Sequence, residues 1–147
     1  MLDLKQIFNS EESDALKLAQ AYRDGKKVSA FGLCSFAKSV VTALASEGQK
    51  TLIVTGDFYL ARSFYDKLRS VTEGVTLLPA RDDTLIYRDA LSGENVSARL
   101  RALYEIATGK ASYVVCPAEA LTQIYPVRER YLDACLSLKK GDEYALE

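Results

Sequence analysis

Apolar positions along this chain follow two alternating rhythms. Four short runs are nearly continuous: VSAF at 28–31, TLIVTGD at 51–57, GVTLLPA at 74–80 and SYVVCPA at 112–118. The last three close on glycine or proline, the punctuation expected after a strand. TLIVTGD lacks polar alternation, so it reads as a strand buried on both faces. Helical spacing fills the gaps. Residues 13–24 have Ser13 as a candidate N-cap and stop before Gly25, and 37–47 carry Val40, Val41, Leu44 and Ala45 on one side and stop at Gly48. In 58–70, Leu60, Phe64 and Leu68 recur every fourth position. In 95–108, Val96, Leu100, Leu103, Tyr104 and Ala107 form a stripe closed by Gly109. Each is the pattern of a helix with one face turned to a core.

Strand–helix alternation of this kind predicts an α/β fold, a parallel sheet with helices on both faces and right-handed crossovers. The expected organisation is one α/β domain over 1–139, in which helix 13–24 precedes the β–α repeats. The tail at 140–147 reads as the truncated start of a connection to a following domain. No internal repeat or low-complexity tract interrupts the chain. The longest irregular stretch, PARDDTLIYRDALSGEN at 79–95, is of a length often tied to function, yet it holds no catalytic grouping. Without histidine or metal ligands nearby, Arg81, Asp82 and Asp83 read as turn residues rather than an acid–base pair.

Composition narrows the chemistry. A chain of 147 residues, 48% apolar and 27% charged, is long enough to bury a core without covalent staples. A net charge of −1 argues against a domain that reads nucleic acid by global charge. The nine tyrosines are scattered and read as packing residues with wet hydroxyl edges rather than base-stacking platforms. Arg99 and Arg101 read as the solvated face of their helix. Three cysteines, Cys34, Cys116 and Cys135, form no C-x-x-C pair, and histidine is absent. A Cys/His zinc site and His-activated nucleophiles are thereby disfavoured, and buried reduced thiols are expected. No apolar run reaches the length of a spanning helix, and the N-terminus is mixed and acidic rather than signal-like, so a cytoplasmic protein without a membrane partner is expected.

The sharpest motif is AFGLCSFAKS at 30–39. Against the phosphate-loop pattern G-x-x-x-x-G-K-[ST], Gly32, Lys38 and Ser39 fall on their marks, while Ala37 stands where the second glycine belongs. VSAF before it and the apolar-striped helix after it supply a strand–loop–helix setting. In an intact loop, backbone N–H groups wrap the phosphates at a helix N-terminus, lysine reaches the outer phosphates and the hydroxyl holds magnesium. Here Ala37 lacks glycine's conformational freedom, and Leu33 and Phe36 place bulky hydrocarbon where an open anion cradle is needed. The partner acid is missing too: YVVCPAE has none at the strand tip, and Asp57 after TLIVTG reads as a helix N-cap. The segment reads as a vestigial phosphate loop that binds no nucleotide and no metal.

The order of these pieces carries a resemblance. After the degenerate loop come TLIVTGDFYLARSFYDKL, the proline-and-acid turn before TLIYRDALS, the ARLRALYEIATGK helix, the VVCPAEAL strand-to-helix step and the closing LSLKKGDEY. From about Val28 onward the chain resembles the N-terminal segment of the bacterial transcription-repair coupling factor (Mfd) family, which is itself similar to the excision repair protein UvrB. The resemblance implies a P-loop, RecA-like sub-domain whose phosphate loop has decayed. It implies no catalysis and no cofactor for this segment, with ATP and magnesium used by a motor further along the full-length protein. It further implies that UvrA, RNA polymerase and DNA are met through later domains. An enzyme with an atypical loop, either a small P-loop NTPase or a UvrB-like ATP-dependent subunit, is the alternative reading. A free-standing DNA-binding module is a third.

Overall fold

The computed structural model describes residues 14–81, 93–136 and 141. The elements in chain order are α1 (Asp14–Arg23), α2 (Ser35–Ala45), β1 (Thr51–Thr55), α3 (Phe58–Arg69), β2 (Val75–Leu77), α4 (Gly93–Ala107), β3 (Tyr113–Pro117), α5 (Ala118–Leu121) and α6 (Arg128–Asp133). The three strands form a parallel sheet in the order β1–β3–β2, with β3 central. Thr51 lies opposite Tyr113 in one pair, and Val75 lies opposite Tyr113 in the other. The chain is therefore α/β with a small parallel sheet, in which β1 and β2 are the edges among the described residues.

Helix ends follow the glycine signals. At the end of α1, the Gly25 N–H donates to the Tyr22 carbonyl and the Lys26 N–H to that of Ala21, while Gly25 takes a φ of +76°. This six-to-one closure satisfies carbonyls that the helix end leaves orphaned, at the left-handed conformation that glycine adopts without steric cost. Arg23 then reaches across, donating to the Leu44 carbonyl at 2.6 Å and pairing with Glu47 at 3.3 Å. A cation is thereby set at the C-terminal end of α2, where the helix dipole is negative.

Two apolar cores flank the sheet. On one face Ala19, Val40, Leu44, Ala61, Leu68 and Val115 pack together, drawing on α1, α2, α3 and β3. On the other, Leu78, Ala102, Cys116 and Ala120 gather with Leu103 and Tyr125 packed against them. The expected helices on both faces are thus present.

Three sequence expectations are corrected. The run at 28–31 forms no strand, and Val28 and Phe31 are exposed, Phe31 by 91%. Only four residues long and preceded by two lysines, it buries too little apolar surface to offset the entropy of ordering it. β1 is buried on one face only: Leu52 and Val54 are 54% and 47% exposed, because Ala102 and Ala120 of the second core pack against Leu78 and Cys116 of the β2–β3 half. The helical stripes hold in part: Leu68 and Ala107 are buried and Phe64 and Leu103 pack against the two cores, while Leu60, Val96, Leu100 and Tyr104 are exposed and Ala61 and Ala102 take buried places instead. Alanine lets a helix come close to the sheet, and the larger neighbours lie to either side of that contact line. Ser13, Asp82, Asp83 and Tyr87, with the tail except Gly141, lie outside the described residues.

Candidate functional site

The segment preceding α2 is the site singled out by sequence. Gly32 turns the chain with a φ of +73°. A Cβ built there meets no atom within 4 Å, so the requirement for glycine is conformational rather than steric crowding. Cys34 follows as the N-cap, extended (φ −64°, ψ 161°) and without a side-chain capping bond. The helix then begins at Ser35, two residues earlier than the apolar spacing predicts. A tether accounts for this start: the Lys67 ammonium on α3 donates to the Ser35 hydroxyl and to that of Ser63, both at 2.7 Å.

Early helix formation changes the role of every motif residue. The Lys38 N–H donates to the Cys34 carbonyl at 3.1 Å, so an amide that a phosphate loop would offer to an anion is used within the helix. Ala37 lies inside α2, and no non-glycine residue among the described ones has a positive φ. The expected strain at Ala37 is thus avoided. Lys38 and Ser39, about 100° apart around the helix, diverge. Lys38 is exposed and lines a groove of about 400 Å³ with Tyr22, Val28 and Leu33. Ser39 is 0% exposed, and its Oγ has no hydrogen-bond partner among the described residues. Lysine and hydroxyl do not converge on a common point.

The expected plug of hydrocarbon is only half realised. Leu33 is partly buried along the groove, whereas Phe36 is half exposed and fills nothing. The start of α2 at Ser35, more than side-chain bulk, is where this segment departs from an open loop.

Asp57 is placed as the sequence reading has it. It is the N-cap of α3 (φ −147°), its Oδ1 accepting from the Leu60 N–H at 2.8 Å. Among the described residues no group of three or more His, Cys, Asp or Glu could hold a metal ion. The cysteines are free, but only Cys116 is buried. There burial pushes its thiol pKa up, while Cys34 is exposed and Cys135 intermediate.

Sequence reasoning missed one structural junction. Arg99, expected on a solvated face, donates to the Pro79 carbonyl at 2.8 Å and lies over the Tyr125 ring with Cζ 4.6 Å from its centroid. Asn95 donates to the Ala80 carbonyl at 3.3 Å, and the Arg81 N–H donates to Gln123 Oε1 at 3.0 Å. These bonds join the exit of β2 to α4 and to the stretch after α5. Each partner is distant in sequence, so no local signal announces them.

Comparison with protein-family models, with curated proteins and with solved structures finds no match to this chain. Among the described residues no helix is long and apolar enough to cross a membrane.

Proposed function

We propose that this chain is a non-catalytic structural and interaction domain of a transcription-repair coupling factor, a RecA-like sub-domain with a vestigial phosphate loop. One observation carries the non-catalytic half of that reading. The amide of Lys38 is bonded within α2 and the hydroxyl of Ser39 is buried, which supports a loop that does not grip a nucleotide and its magnesium. The family assignment rests on the ordered sequence pieces, from TLIVTGDFYL to LSLKKGDEY. Under this reading, ATP, magnesium, UvrA, RNA polymerase and DNA belong to the full-length protein. Under the same reading this chain acts as a cytoplasmic α/β domain.

The competing reading is an ATP-dependent enzyme with an unusual loop. Its support is the left-handed Gly32 ahead of an exposed Lys38. Thermal melting with and without millimolar Mg-ATP separates the two, because a ligand at about 100 times its Kd adds roughly 2.7 kcal/mol. An unchanged Tm is expected. A rise that disappears in Lys38→Ala establishes the enzyme reading instead.

A further inference from the structure

Among the described residues no strand pairs with the far side of β2. In its ladder with β3, Gly74 O accepts from Ser112 and Tyr113, and the Leu78 N–H donates to Val115 O. Backbone groups of a strand alternate sides, so the N–H and C=O of Val75 and Leu77 point away from β3, toward the open edge. That edge is the floor of a cleft of about 930 Å³. One wall is α3, presenting Phe58, Arg62, Tyr65 and Arg69. The other is α4, presenting Arg101 between Glu94 and Glu105.

We propose that this cleft receives an extended acidic segment of a partner protein, added as a fourth strand on the edge of β2. Length fits: the α3 wall from Phe58 to Arg69 runs about 16 Å, the span of roughly five strand residues. Donors and acceptors fit, because Val75 and Leu77 offer the alternating pairs that strand addition uses. Charge selects the occupant. Of the three cleft arginines, Arg62 pairs with Asp66 at 3.4 Å, while among the described residues Arg69 meets the Tyr65 hydroxyl at 3.4 Å and no carboxylate, and Arg101 has no ion pair. Two guanidinium groups are therefore available to carboxylates, one on each side of an inserted strand.

The same charges disfavour other occupants. A second copy joined through β2 by a two-fold axis would set Arg62 and Arg69 against their own equivalents across the seam. A nucleic-acid strand carries a negative charge at every step and leaves no neutral position to lie against Glu94 and Glu105, whereas a peptide can set apolar residues there. The proposal does not depend on whether the loop before α2 binds a nucleotide.

The test titrates ¹⁵N-labelled chain with the seven-residue peptide Val-Glu-Glu-Val-Glu-Glu-Val, whose adjacent glutamates face both walls of the cleft. Two controls are its valine–lysine counterpart and the glutamate peptide N-methylated at alternate amides. The glutamate peptide is expected to shift the Val75 and Leu77 amides, with affinity falling roughly tenfold in about 0.5 M salt. A similar loss is expected in Arg69→Gln/Arg101→Gln, and far weaker binding of both controls. Arg101→Gln alone, at an exposed position without a partner, serves if the double variant does not fold. Four results overturn the proposal: no shift at those amides, equal binding of the lysine peptide, equal binding of the N-methylated peptide, or protection of the β2 edge by dimerisation.

Discussion

The guanidinium of Arg99 lies over Tyr125, 4.6 Å from Cζ to ring centroid, while the Tyr125 hydroxyl donates to the Ala120 carbonyl at 2.7 Å. A charge on α4 thus joins the loop after β2, through Pro79 O, to the segment following α5. Removing it leaves a half-buried carbonyl unpaired and an aromatic face bare.

Arg99→Ala is expected to destabilise the domain by about 1–3 kcal/mol, combining a charged hydrogen bond with a partly desolvated cation–π contact. Arg99→Lys should recover only part of this, because an ammonium lacks the planar fork that serves both contacts. Urea unfolding of the three proteins measures it. Equal stability across them would reduce the stacking to an incidental contact.

Asp57→Ala should cost about 1 kcal/mol through loss of the Leu60 cap, whereas Asp57→Asn and Asp57→Ser should be nearly neutral. Chemical denaturation midpoints check the order. A role for Asp57 in holding magnesium would instead make the asparagine variant behave like alanine in the Mg-ATP melting test.

Much of this architecture was legible because it is local. Gly25, Gly48 and Gly109 end helices where the sequence places them, all with φ near +77°, and the Asp57 cap needs only a strand before it and a helix after it. What was not legible depends on neighbours. Nothing within TLIVT says that the second face of β1 lies open, since that depends on where Ala102 and Ala120 pack. Nothing near Ser35 says that Lys67, 32 positions on, ties down the start of α2. The phosphate-loop pattern is readable in the sequence, but the start of α2 at Ser35, which uses the Lys38 amide within the helix, is not announced by Leu33 or Phe36.

Ser39→Ala should be neutral or stabilising by up to about 1 kcal/mol. The substitution removes a buried hydroxyl with no partner and installs a better helix former. Differential scanning calorimetry gives the sign. A loss above about 2 kcal/mol would mean that the hydroxyl has a partner within the fold.

Burial raises the pKa of the Cys116 thiol, so the folded state holds that proton more tightly than the unfolded chain. Tyr113 shifts the same way: burial dominates, the Glu47 carboxylate adds to it and a Thr72 hydrogen bond opposes it. Both contributions are fully present below the pH at which the unfolded groups ionise and are lost as pH rises through the folded values. Stability should therefore fall as pH climbs above about 9. A thiol-reactive dye at neutral pH should label Cys34 first and Cys116 only as the protein unfolds. Equal rates at the two positions would contradict the burial of Cys116.

The early start of α2 makes this architecture hard to reverse. Glycine at 37 would restore the written motif, yet the bond from Lys38 to the Cys34 carbonyl would remain, and the helix would only be weakened by about 1 kcal/mol. To clasp a triphosphate, the chain would have to unwind a full turn, release the Lys67 tether and draw Ser39 out of the interior. Building a phosphate cradle into this shape would take several coordinated changes, and the first alone would bring no gain.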